Sequence, residues 1–145
     1  MRGRNFWLWL ARLLIGLVLF VNIHCALAFL CQPARYAPGF ELEGVIGESL
    51  LRGMGVLFLM WNVPYLIAFI HPIRHKISLI ETVVMQSIGL VGEGIIYLTL
   101  PQGHMIAQAS IQRFIIFDGA GLVALIIALW SVQKKLDNIK STSER

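Results

Sequence analysis

The chain has 145 residues, of which 57% are hydrophobic and 14% charged, with a mean hydropathy of +0.74. A soluble domain carries about 25% charged residues, so this composition excludes one and points to a single integral membrane unit covering residues 1–145. The net charge of +4 does not mark a nucleic-acid binder, because the basic residues cluster at the ends of apolar runs instead of forming a stripe.

Four apolar segments are each long enough for the ~20 residues that a bilayer core requires. The first covers residues 6–31 and stops at Gln32-Pro33. Its Arg2, Arg4 and Ala26-Leu27-Ala28 also fit a cleaved leader, but the apolar stretch is too long for one and Arg12 interrupts it. Residues 34–48, with Pro38-Gly39 and Gly44, are expected to form an irregular or partly interfacial loop. The second segment covers residues 50–70 and contains Pro64, which should kink it and free the Met60 carbonyl for a neighbour such as Asn62. His71 and His75 flank Pro72 in a tight turn, so the second and third segments are expected to be antiparallel neighbours. The third covers residues 78–100 and stops at Pro101. The fourth covers residues 105–132 and runs into Gln133-Lys134-Lys135. The expected fold is an all-α bundle of four transmembrane helices, up-down-up-down.

Lysine and arginine bias sets the direction. Arg2, Arg4, Arg74, Lys76, Lys134, Lys135, Lys140 and Arg145 fall on one side, against Arg35, Arg52 and Arg113 on the other. Both termini are therefore expected in the cytoplasm, with the protein in the plasma (inner) membrane. Trp7, Trp9, Trp61 and Trp130 lie mostly near the cytoplasmic boundary in this arrangement. Cys25 and Cys31 stand about 240° apart around one helix and roughly 9 Å apart along it, so they read as free thiols. There is no Cys/His metal spacing, no P-loop, and no GxSxG or HExxH motif. No cofactor is named by the sequence, and no catalytic signature is present.

The informative residues are the ionisable ones inside apolar segments, because a carboxylate in hydrocarbon costs about 2.5–3.5 kcal/mol even on lenient scales. With the expected topology, His24, Arg52, Glu93, Arg113 and Asp118 converge on the outer leaflet from all four helices. Thr82, Gln86, Gly89 and Glu93 form one stripe of the third helix, and Arg52, Gly55, Leu59 and Asn62 share a face of the second. Asn22 and His24 are about 200° apart, so at least one of them is peripheral. Each charge also has a plain structural reading. Arg52 follows Glu48 by four residues and can pair with it. Glu93 can lock onto Arg52 or Arg113, and Arg12 and Glu81 are expected to form an inner ion pair.

The run Arg12-Leu13-Leu14-Ile15-Gly16-Leu17-Val18-Leu19-Phe20, the polar helix end with Pro33, and Gly53-Met54-Gly55-Val56-Leu57-Phe58-Leu59 resemble the DoxX-like four-helix membrane proteins over about half the chain. The resemblance implies the bundle fold and links to respiratory or redox membrane chemistry. Glu93 and Asp118 match no motif of that family. The leading expectation is an outer-leaflet pocket for a small amphipathic or anionic molecule, such as a lipid, a quinone or a solute. Arg52 and Arg113 would contact its anionic or carbonyl group, Glu93 and Asp118 would hold those arginines or accept a ligand proton, and His24 would line the rim. A proton-coupled transporter or channel would need a polar path through Gln86, Thr82 and Asn62. An assembly subunit, as a homodimer or within a larger membrane complex, would use its charges only to knit helices.

Overall fold

The computed structural model describes residues 3–143, all of whose regular elements are helical. Helix α1 (Gly3–Cys31) leads through Gln32 into a short α2 (Pro33–Tyr36) and a 3-10 turn (Ala37–Phe40). Pro33 opens α2, where its missing N–H leaves no bond unmade. The turn ends at Glu41, which adopts a left-handed conformation (φ 57°). Helix α3 (Gly44–Trp61) begins six residues ahead of the expected residue 50, so most of the expected loop is ordered helix and turn. Gly47 permits this fold-back, since a Cβ there would lie 2.9 Å from the Leu42 backbone.

Pro64 breaks the second span where a kink was expected. The chain interrupts at Asn62 and resumes as α4 (Val63–Ile70), placing Pro64 in the first turn of a new helix. The Asn62 side chain serves the Phe58 carbonyl (Nδ2 to O 2.6 Å) and not that of Met60, because a side chain in a helix reaches back one turn to the i−4 oxygen. Helix α5 (Lys76–Thr99) and helix α6 (Met105–Ser143) follow. The 39 residues of α6 span about 58 Å, well beyond a hydrocarbon core of about 30 Å. Gln133-Lys134-Lys135 does not end α6, since polar residues that form helices readily do not stop a helix without glycine or proline.

Four spans are long and apolar enough to cross a membrane, with α3 and α4 together making the second. The lower core joins α1, α4, α5 and α6 through Ile15, Tyr65, Leu79, Leu125 and Val132, all fully buried. A second cluster joins Phe29 of α1 and Leu51 of α3 to Tyr36, Phe40, Phe58 and Phe114. Helix α4 packs on α1 and α5, whereas α3 packs on α1 and on residues 33–40, with no close backbone approach to α5 or α6 among the described residues. Gly55 fixes that lean, because a Cβ there would meet the Ala26 carbonyl at 2.9 Å. The break at Asn62 therefore closes one end of the bundle and leaves the other open.

Candidate functional site

The opening is a cavity of about 610 Å³ between α1, α3, α5, α6 and the 33–40 segment. Its apolar wall includes Phe29, Phe40, Phe58 and Phe114, whose ring centroids lie 5.7–6.2 Å apart in five of their pairings. Its polar lining comprises Asn22 and Cys25 from α1, Asn62 at the break, Gln86 and Glu93 from α5, and Asp118 from α6. Arg35 and Arg113 also line it, both exposed.

A three-helix hydrogen-bond chain underlies the polar side. Tyr65 of α4 donates its hydroxyl to Gln86 Oε1 (2.6 Å), and Gln86 Nε2 donates to Asp118 Oδ1 (2.8 Å). Tyr65 and Gln86 are almost wholly buried, where an unmade polar bond is costly. Two glycines make room for this chain. A Cβ at Gly89 would lie 2.5 Å from Asp118 Oδ2, and one at Gly121 would lie 2.8 Å from Gln86 Nε2. Glu93, two turns further along α5 than Gln86, accepts no hydrogen bond among the described residues, and its Oε2 is buried. Asn62 is 4% exposed and its Oδ1 is likewise buried without a partner.

The expected constellation divides. Glu93 and Asp118 come together at the cavity with Gln86 and Asn62, and Arg113 sits at its rim. Arg52 does not join them: it pairs with Glu48 at 3.4 Å on the exposed side of α3, whose inward face carries Gly47, Leu51, Gly55 and Phe58. His24 is exposed and stacks on the equally outward Phe20, so Asn22 is the member of that pair that faces inward. Neither carboxylate holds an arginine, since among the described residues neither Glu93 nor Asp118 forms an ion pair. Thr82 is buried below the cavity with its hydroxyl on the Leu79 carbonyl (2.8 Å). The Arg12–Glu81 pair does not form. Arg12 Nη2 donates to the Ile70 carbonyl at 2.8 Å, satisfying the end of α4, and Glu81 lies on an exposed face of α5.

Sequence reasoning also missed the cover of the site. Glu41 Oε1 accepts the Ala107 N–H in the first turn of α6 (3.2 Å), Glu41 Oε2 meets His104 Nδ1, and Ser110 Oγ donates to the Gly39 carbonyl (2.6 Å). These bonds clasp the 33–41 segment, with Tyr36 and Phe40, onto α6. The bond from His104 and that from Ala107 hold the Glu41 carboxyl below its ordinary range. No spacing rule joins residues 66 positions apart, so only the fold shows this cap. Trp61 also lines the cavity.

Among the described residues, no group of three or more His, Cys, Asp or Glu side chains is placed to hold a metal ion. No family model, curated protein or solved structure matches this chain.

Proposed function

We propose that this protein binds a small amphipathic molecule inside its bundle. In this reading the protein lies in the plasma (inner) membrane with both termini cytoplasmic, and the cavity occupies the outer half of the bilayer. The observation that carries the reading is a cavity of about 610 Å³ with an aromatic wall and buried, unpartnered acceptors on Glu93 and Asn62. A mostly apolar pocket with a few convergent polar atoms is the usual form of a small-molecule site. The network from Gln86 to Tyr65 ends against the packed core of Ile15, Leu79 and Leu125, so nothing specific favours a polar path across the membrane. The DoxX-like resemblance contributes an expected redox context, which a quinone probe addresses.

The test is thermal unfolding in detergent with a panel of a lipid, a quinone and a polar solute. A ligand held in the cavity raises the midpoint of the wild type as mass action requires. Cys25→Phe, which fills the cavity from α1, is expected to fold and to lose that rise. A rise that survives in Cys25→Phe places the ligand elsewhere and ends the pocket reading.

A further inference from the structure

The ionisable groups deep in the cavity are one-sided, and this identifies the head group of its ligand, on the premise that the cavity is a binding site. The donors deep in the wall are engaged: Gln86 Nε2 with Asp118, the Tyr65 hydroxyl with Gln86, and one N–H of Asn62 Nδ2 with the Phe58 carbonyl. The carboxyl groups left open there accept. Glu93 accepts nothing, Asp118 accepts only at Oδ1, and the buried Asn62 Oδ1 is unpartnered. The remaining donors are all neutral: the Asn22 amide, which serves either sense, the second Asn62 N–H, the Trp61 indole beside Tyr65, the Tyr36 hydroxyl of the cap and the weak Cys25 thiol. Arg35 and Arg113 line the mouth as exposed side chains, where water and lipid phosphates screen them.

We propose that the cavity takes a protonated amine carried on a hydrocarbon body, with the ammonium among Glu93, Asp118 and the Asn62 carbonyl oxygen and the hydrocarbon against Phe29, Phe58 and Phe114. An ammonium supplies three donors and no acceptor, the complement of this lining. It also places a positive charge between two carboxylates that have no cation of their own, in a site where unpaired charge is costly. The aromatic wall suits both parts of such a molecule, since ring faces attract cations and bury hydrocarbon. An anionic head would find no cation in the deep wall, and an alcohol would leave at least one acceptor unmet.

The experiment uses the full chain in phosphatidylcholine nanodiscs near neutral pH, about 7, where an alkylamine is charged. Apparent dissociation constants for dodecylamine, dodecanol and dodecanoate are taken from ligand-dependent unfolding midpoints. The amine is expected to bind at least about tenfold tighter than either of the others, a preference that Glu93→Gln removes and the outward Arg52→Gln keeps. If dodecanol or dodecanoate binds as well as the amine, the ammonium assignment is overturned while the pocket stands. If none of the three stabilises the protein, the pocket reading falls and the assignment with it. Should Glu93→Gln fail to fold, the ranking of the three heads on wild type decides alone.

Discussion

Gly89 and Gly92 lie one turn apart on α5, yet their surroundings differ sharply. A Cβ at Gly89 would collide with the Asp118 carboxylate, whereas one at Gly92 meets nothing within 4 Å. Gly89→Ala should therefore push Asp118 off Gln86 and cost about 1–3 kcal/mol. Gly92→Ala should be neutral or slightly stabilising, because alanine is the better helix former by about 1 kcal/mol. Unfolding midpoints in detergent check both, and equal effects would contradict the geometry. Gln86 makes a second residue-scale case. Gln86→Leu deprives Asp118 Oδ1 of its donor and leaves the Tyr65 hydroxyl only the Thr82 carbonyl at 3.4 Å, a combined cost of about 1–3 kcal/mol. Adding Tyr65→Phe should recover part of that loss, since it removes the poorly paired hydroxyl, and a double-mutant cycle would read the coupling. The glutamine stripe with Thr82, Gly89 and Glu93 was visible as helical phase. Its partner Tyr65 was not, because the second span reads as continuous until the break at Asn62 re-aims it.

Among the elements, the 33–41 segment and the break at Asn62 do most to shape the site. The clasp depends on an ionised Glu41 at the start of α6, where the helix dipole also favours negative charge. Because the folded state holds this carboxyl below its ordinary range, its contribution is complete above the unfolded value and disappears as pH falls through the folded one. The hydrogen-exchange protection of residues 33–43, taken relative to the intrinsic rate at each pH, should fall on that acid limb in wild type. In Glu41→Gln that protection should be low already at neutral pH and flat with acid. A wild-type profile without an acid limb would show that the clasp does not hold the cover. The Asn62 break makes a separate prediction. Pro64→Ala restores the backbone donor that the break dispenses with, so α3 should straighten toward α5. Spin labels on Leu57 and Ile88, both exposed, should then move closer, and an unchanged distance would mean that Asn62 alone sets the break.

At the scale of the whole molecule, the expected topology puts Cys31, exposed at the end of α1, on the outer surface. A membrane-impermeant maleimide should label Cys31 in intact cells, and Cys31→Ala should abolish the signal. Labelling only after permeabilisation would invert the bundle and move the cavity to the inner leaflet. The membrane character itself, the four spans and their approximate ends follow from the sequence alone. An apolar run of membrane length has only one stable backbone solution in lipid, since every N–H and C=O must be satisfied within the segment. Helical phase likewise placed Gln86 and Glu93 on an inward face, because the period of the helix is a local property. The sequence offered Arg52 both a pairing with Glu48 and a place in the pocket without deciding between them, and it could not show that Asn22 rather than His24 faces inward or that Arg12 serves α4 instead of Glu81. Nor could it join Glu41 to Ala107. Those pairings depend on how each helix is rotated and how far α3 leans from α5, which are set by packing at Gly47, Gly55 and the Asn62 break. The tertiary structure decided the site for that reason: local periodicity fixes which residues share a helix face, and only contact between helices fixes what that face meets.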